Sequence, residues 1–165
     1  MKNLYFFLFI QTNIFAQYNF NNDLSFLLDI KNISYKKNIS FNETSHQGDF
    51  YFLEKYVISK KDICKFLKKN KKLLPFQKPF GNSKVIKSNW TSHIDKIKYK
   101  WVFTVLNYLS RNKFLVKELK KVKKLLNNPS IYVAFYISNS NPPDKEILFI
   151  LYPKLSILYI IQVKI

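Results

Sequence analysis

Residues 49–138 alternate between β-prone runs and segments of helical periodicity, and this alternation constrains the fold more than any other feature of the sequence. Runs of β-branched and aromatic residues bounded by polar or turn-forming residues indicate strands. Apolar residues at helical spacing, with Lys on the opposite face, indicate amphipathic helices. The predicted order is β-α-β-β-α-β, with strands at 49–58, 84–87, 101–106 and 131–137, a helix that begins after Ser59, and a helix between Asn112 and Asn127.

This order of elements is typical of the split βαβ, ferredoxin-like fold, which belongs to the α+β class. It predicts a four-stranded sheet with two helices on one face. Ser59 is a suitable N-cap for the first helix, because Asp62 follows it three residues later in a variant of the capping box. Asn128-Pro129 terminates the second helix.

The positive charge is confined to the same part of the chain. The 165 residues contain 28 Lys+Arg and 10 Asp+Glu, a formal net charge of +18. Residues 49–138 account for +16 of this excess, while residues 1–48 and residues 139–165 carry +1 each. We therefore predict a basic RNA-binding domain at 49–138, an N-terminal extension at 1–48 and a β-rich C-terminal extension at 139–165. A strongly basic folded domain binds nucleic acid or an anionic membrane.

The composition indicates a folded protein and an A+T-rich genome. Hydrophobic residues make up 47% and aromatic residues 18% of the chain, too many for a disordered basic tail. Arg111 is the only arginine, and Lys, Asn, Ile, Phe and Tyr are abundant, which indicates an A+T-rich genome of the kind found in organelles. The same bias is found in some protists, so composition alone does not assign a location.

An enzymatic function is not expected from the available residue types. The chain has only two glycines, so it lacks a glycine-rich phosphate loop. Cys64, His46 and His93 do not assemble into a nucleophile, a base and an orienting group. Glu43, His46 and Asp49 lie in one loop and are expected to face solvent rather than a metal. We predict no cofactor, no metal and no small-molecule substrate, and we expect Cys64 to be a small buried side chain.

The two ends leave alternatives open. The apolar run at 4–10 is a buried strand, a signal peptide or the start of a membrane anchor. Residues 19–48 are rich in Asn and Ser and predict an irregular segment, while residues 147–165 predict one or two strands. Four N-x-S/T sequons begin at Asn32, Asn38, Asn42 and Asn89. Two alternatives follow: an accessory subunit of an organelle inner-membrane (respiratory) complex, and a secreted or surface protein with a signal peptide.

A short run within the basic block resembles a known family. Residues 92–96 read Ser-His-Ile-Asp-Lys, which is similar to the Ser-Pro-His-Val/Ile-Asn/Asp-Lys signature of the bacterial-type small-subunit ribosomal protein number ten (the S-ten family). The segment Asn-Pro-Ser-Ile-Tyr-Val at 128–133 resembles the junction between the family's second helix and last strand. The family has the β-α-β-β-α-β order, with the signature at the tip of a long hairpin between strands two and three. Trp-Val-Phe-Thr-Val at 101–105 departs from the Glu and paired basic residues that the family has there.

The resemblance implies a structural constituent of the small subunit of a mitochondrial ribosome, located in the subunit head. It therefore also implies a mitochondrial protein, in the matrix and possibly encoded by the organelle. Its partners would be ribosomal RNA and neighbouring head proteins, and a membrane partner is not expected. Lys side chains would bind phosphates, and aromatic rings among them would stack on unpaired bases. For individual residues, a solvated surface lysine and an aromatic packed in the core remain the alternatives. The candidate RNA-binding residues are Lys84, Lys87, Trp90, His93, Lys96, Lys98, Tyr99, Lys100 and Arg111.

Overall fold

The computed structural model of the chain describes residues 20–44, 49–69, 71–73, 80, 84–92 and 100–164. These residues form an α+β structure built on one six-stranded antiparallel sheet. Short 3-10 segments occur at Phe20–Asp23, Val105–Asn107 and Pro153–Leu155. The helices are α1 (Leu24–Leu27), α2 (Lys60–Lys68), α3 (Lys100–Thr104) and α4 (Lys113–Leu125), and the strands are β1 (Tyr35–Thr44), β2 (Phe50–Ile58), β3 (Val85–Lys87), β4 (Tyr132–Ser138), β5 (Lys145–Tyr152) and β6 (Ile157–Lys164).

The C-terminal segment supplies the middle of the sheet. The strand order is β1-β2-β6-β5-β4-β3, so β5 and β6 lie between β2 and β4. β6 pairs with β2 along its whole length, from Ile157 opposite Val57 to Lys164 opposite Phe50. Nearly every side chain of β5 and β6 is buried, as expected for central strands covered on both faces. The predicted strands in 147–165 are confirmed, but they are part of the sheet rather than an appendage to it.

The sheet carries a hydrophobic core on each of its two faces. The core on one face, which we call the α2 face, contains Tyr56 and Ile58 of β2 together with Ile63 and Phe66 of α2. The alternate side chains of the strands point to the opposite face, which we call the α4 face. Its core includes Tyr51 and Leu53 of β2, the apolar side of α3, and Leu115, Leu119 and Val122 of α4. The molecule therefore has three layers, with helices on both sides of the sheet.

Both long helices begin at the residues that their sequence predicts. The side chain of Ser59 accepts a hydrogen bond from the backbone N–H of Asp62 at 3.1 Å, which confirms the N-cap of α2. Asn112 caps α4 by accepting from the N–H groups of Phe114 (2.9 Å) and Leu115 (3.2 Å). The strands predicted at 49–58, 84–87 and 131–137 are also confirmed, as β2, β3 and β4.

The predicted ferredoxin-like arrangement is wrong in its details, although the α+β class is confirmed. The sheet has six strands rather than four, and α2 and α4 cover opposite faces instead of the same one. The segment 101–106, predicted as a strand, forms α3 and the 3-10 turn that follows it. Because that segment is helical, it cannot pair with β3 in a hairpin, and β3 pairs with β4 at the edge of the sheet.

Three other expectations are corrected or lie outside the described residues. Residues 19–48, predicted as irregular, contain α1 and the long edge strand β1, which pairs with β2. Cys64 is exposed on α2 rather than buried, because the buried side of that helix is formed by Ile63 and Phe66. The apolar run at 4–10 lies outside the described residues. Among the helices that the structure describes, none is long and apolar enough to cross a membrane.

Candidate nucleic-acid interface

The first basic surface lies on α2. We call it the α2 surface and define it by five side chains, all of them exposed: Lys60, Lys61, Lys65, Lys68 and Lys69. They project outward because Ile63 and Phe66 occupy the side of the helix that packs on the sheet. Burying two such side chains stabilises the docked helix by about 1.5–3 kcal/mol each.

Acidic residues neutralise only part of the α2 surface. Lys65 donates to Asp62 at 2.8 Å, and Lys69 pairs with Asp29 at 3.0 Å. The carboxylate of Asp62 also accepts from the Ser34 N–H and the Ser59 hydroxyl, and these hydrogen bonds together with that of Lys65 lower its pKa to about 2. In the part of the chain that the structure describes, no acidic side chain pairs with Lys60, Lys61 or Lys68. Those three lysines are available to an external anion.

The second basic surface lies on α4. We call it the α4 surface and define it by seven exposed side chains: Arg111, Lys113, Lys117, Lys120, Lys121, Lys123 and Lys124. The opposite side of the helix is buried, with Leu115, Leu119 and Val122 at a helical spacing that places them against the sheet. Lys123 and Lys124 lie in the last turn, where cations interact favourably with the helix dipole.

One buried carboxylate organises part of the α4 surface. Glu118 is buried beneath the helix, where it pairs with Lys121 and accepts a hydrogen bond from the hydroxyl of Tyr159 at 3.3 Å. Lys123 donates to the side chain of Asn107 at 2.9 Å. Within the described residues, no carboxylate pairs with the other five cations of this surface. Most of the positive charge of α4 is therefore uncompensated.

A groove runs beside the α4 surface. It encloses about 390 Å³ and is closed on one side by Lys120 and Lys123 and on the other by residues 106–110. Leu109, on the rim, is 95% exposed, which is unusual for a large apolar side chain. Behind it the ring of Tyr108 stacks on Tyr51, with ring centroids 4.1 Å apart. An apolar groove of this size with cations on its rim has the dimensions of a ligand site.

A second cavity, of about 310 Å³, opens at the end of the sheet on the α4 face. Its charged lining residues are Asp49 and Lys164, and the hydroxyl of Tyr51 in its wall donates to the carbonyl of Val105 at 2.8 Å. Burial raises the pKa of Tyr51 above its usual value, which favours the neutral phenol that donates this hydrogen bond. Among the residues described, no group of three or more His, Cys, Asp and Glu side chains is placed to hold a metal ion.

Those predicted RNA-binding residues that the structure describes are dispersed rather than gathered on one hairpin. Lys84 and Lys87 are exposed at the edge strand β3, and Lys87 donates to the carbonyl of Leu73 at 2.7 Å. Lys100 is exposed on α3, with its ammonium 5.2 Å from the ring centroid of Trp101. Arg111 is exposed and joins the α4 surface. The remaining predicted residues His93, Lys96, Lys98 and Tyr99 lie outside the described residues.

Trp90 is a core residue in this structure. Its side chain is 4% exposed, and the indole N–H donates to the carbonyl of Leu27 at 3.1 Å. The ring also meets Phe66 edge to face, with centroids 5.5 Å apart. A base cannot stack on a ring enclosed in this way, so the alternative of core packing applies to Trp90.

The lysines of α2 and α4 were not among the predicted site residues, although their signal is present in the sequence. Each helix repeats Lys on the face opposite its apolar stripe, which places the cations on one surface. The comparisons with known proteins add no further assignment, because no family model, no curated protein and no solved structure matches the chain.

Proposed function

We propose that the protein binds RNA through its two lysine-rich helical surfaces and serves as a structural, non-catalytic constituent of a ribonucleoprotein. The observation that carries this proposal is the set of lysines on α2 and α4 that have no carboxylate partner among the described residues and that lie on the outer sides of a three-layer core. A solvated surface normally mixes charges of both signs, whereas these helices present one sign over several turns. Such a surface fits a polyanion.

Phosphate contact is the mechanism that these side chains support. Each lysine neutralises a phosphate and releases condensed counterions, so affinity falls steeply as salt rises. Lys acts as a point charge and lacks the bidentate fork with which Arg reads guanine. The protein would therefore recognise the position and shape of the RNA backbone more than base identity. The groove beside Leu109 and Tyr108 would accept an unpaired base next to the helix-bound strand.

The particle that we propose is the small subunit of a mitochondrial ribosome. The A+T-rich composition and the concentrated positive charge support this choice, as does the S-ten-like run at 92–96. The six-stranded sheet differs from the four-stranded sheet that the family's β-α-β-β-α-β order implies, so the fold lends the proposal no support. What supports it is the chemistry of the surface, the composition of the chain and the S-ten-like run.

Sedimentation of the native protein tests this assignment. Lysate from cells that make the protein is centrifuged through sucrose gradients at high and at low magnesium, with and without ribonuclease. At each magnesium concentration we expect the protein to sediment in whichever fractions contain the small subunit. After ribonuclease it should leave those fractions. A protein that stays in detergent-extracted membranes after ribonuclease would contradict the ribosomal proposal.

A binding measurement tests RNA recognition separately from the particle. The purified protein is titrated with a fluorescent RNA hairpin at increasing potassium chloride. With three or four phosphates of the hairpin contacted on one surface, affinity should fall by roughly 40- to 150-fold between 50 and 200 mM salt. Binding that is absent at low salt, or that does not change with salt, would overturn the proposal.

A further inference from the structure

We infer that the protein holds two RNA segments at the same time, one on the α2 surface and one on the α4 surface, and so bridges them. This inference rests on the proposed RNA-binding function and goes beyond it, because a single basic patch would bind only one segment. It follows from where the two helices pack on the sheet.

The two surfaces point in opposite directions. Ile63 and Phe66 of α2 are buried in the core of the α2 face, which includes Tyr56 of β2. Leu115 and Leu119 of α4 are buried in the core of the opposite face. The lysines of each helix lie on the side away from its buried stripe, so the sheet and both cores stand between the two sets of cations.

The thickness of the molecule separates the two surfaces electrostatically. Each helix or sheet layer adds about 10 Å, so three layers place the outward surfaces about 30 Å apart. The Debye length is only about 8 Å at physiological ionic strength. Phosphates bound on α4 therefore gain almost nothing from the lysines of α2, and an RNA helix lying along one surface does not reach the other. Each surface must bind its own segment.

Each surface also carries enough free charge to bind by itself. Lys60, Lys61 and Lys68 on α2 lack a carboxylate partner among the described residues, as do Lys113, Lys117, Lys120 and Lys124 on α4. Every phosphate contact that forms contributes a slope of about −0.9 to the dependence of log affinity on log salt. Three or four contacts per surface give a weak site on each side. A bridged RNA would be held far more tightly than a singly bound one.

Matched variants separate the two surfaces. The first variant carries K60Q, K61Q and K68Q, and the second carries K117Q, K120Q and K124Q. Each removes three positive charges from exposed positions and leaves every ion pair of the described residues intact. Lys65 and Lys121 are retained because they pair with the buried carboxylates of Asp62 and Glu118. A control variant removes the same charge at exposed lysines outside both surfaces, by K31Q, K36Q and K154Q.

The test is a capture assay with one RNA hairpin in two forms. The biotinylated form is fixed on beads, the protein is added below saturation, and the fluorescent form is then supplied. We expect the full-length protein and the control variant to retain the fluorescent hairpin. Each surface variant should still bind the beads but retain no fluorescent hairpin above background. The unaltered protein should bind two hairpins per chain, and each surface variant should bind one.

The outcomes distinguish the inference from the function on which it rests. If the unaltered protein does not bind the beads at all, the proposed RNA-binding function fails. If it binds the beads and retains no fluorescent hairpin, RNA binding stands and bridging is overturned. Retention that persists in either surface variant would also overturn the inference, because bridging would then come from self-association or from another surface.

Discussion

Glu146 is a carboxylic acid placed in an apolar environment. It lies on β5 opposite Val163 and Ile137, and its side chain is buried against the α4 face. One carboxyl oxygen, Oε2, has no hydrogen-bond partner among the described residues. Burial raises the pKa of Glu146 to about 7, while a hydrogen bond from Thr104 acts weakly in the opposite direction. Near neutral pH this residue is therefore close to half protonated in the folded protein.

This raised pKa predicts that Glu146→Gln changes the pH dependence of stability. In the unfolded chain the carboxyl ionises near 4.5, and in the folded protein near 7. Between these values the folded state holds the extra proton, so stability falls as pH rises through the window and is constant above it. The variant lacks this loss. The difference between its free energy of unfolding and that of the parent protein should therefore increase by an amount on the order of 3 kcal/mol from pH 4 to pH 8.

Urea denaturation at pH 4 and at pH 8 measures that gain. The control is Asn139→Gln, because this exposed side chain carries no titratable group and its replacement leaves the set of ionisable groups unchanged. Identical pH dependence in Glu146→Gln and the parent would mean that the carboxyl ionises normally inside the folded protein.

Trp90 provides a prediction that separates core packing from RNA contact. Trp90→Phe removes the indole N–H and leaves the carbonyl of Leu27 without that donor, which should cost about 1–3 kcal/mol of unfolding free energy. RNA affinity below the unfolding transition should not change, because the ring is enclosed. The matched control is Trp101→Phe, at a ring that is 38% exposed and should cost little stability. A tenfold loss of affinity in folded Trp90→Phe would contradict the core assignment.

The first turn of α2 depends on a carboxylate that joins three parts of the chain. Asp62 accepts from the Ser34 N–H before β1, from the Ser59 hydroxyl at the cap, and from Lys65 one turn later. Asp62→Asn removes the charge and should lower the free energy of unfolding at pH 7 by about 1 kcal/mol. Because the folded pKa is lowered from 3.8 to about 2, this contribution is complete above 3.8 and is lost as pH falls through 2.

Chemical denaturation at pH 7 and at pH 3 checks the role of Asp62. The difference between the parent protein and Asp62→Asn should be smaller at pH 3 than at pH 7. A difference that grows as the solution is acidified would mean that the carboxylate destabilises the helix start.

Local signals predicted the elements that depend on local chemistry. Ser59 and Asn112 marked the starts of α2 and α4, because an N-cap satisfies backbone groups within a few residues of itself. The segment 101–106 was mistaken for a strand because its residues are mostly aromatic or β-branched. Its buried residues are Val102, Val105 and Leu106, a helical spacing that a strand would not produce. Burial against the sheet outweighed β-propensity, and the sequence does not show this spacing because five of the six residues are apolar.

The arrangement of the strands was not accessible from such signals. β2 pairs with β6, about a hundred residues later in the chain, and both are buried on both faces. A strand of that kind is nearly uniformly apolar, so alternation cannot say which neighbours it takes. For the basic surfaces too, only the local part was predictable. Helical periodicity places Lys on one side of each helix, but the arrangement of the sheet decides that the two helices cover opposite faces. The predicted hairpin site was drawn from the resemblance, and the pairing of β3 with β4 replaces it.

The central position of β5 and β6 predicts that the chain cannot be divided at residue 138. Together they make the hydrogen-bonded ladders that join β2 to β4, and they supply Phe149 and Ile160 to one core and Leu148 and Ile161 to the other. A chain truncated after residue 138 would leave β2 and β4 with unpaired edges and two exposed apolar faces. It should therefore show no cooperative unfolding transition in urea and should aggregate at concentrations where the full chain is soluble.

The control for this truncation keeps both strands and disturbs only the junction. A short Gly-Ser insertion after Asn141, an exposed residue in the loop between β4 and β5, lengthens the loop at a small entropic cost and should preserve the transition. Adding residues 139–165 back as a separate peptide should restore part of the structure, because the same strand pairings can form between two chains. A truncated chain that unfolds cooperatively with parental stability would instead show that residues 1–138 fold without β5 and β6. In that case the two C-terminal strands would be an addition to a domain that contains the basic segment.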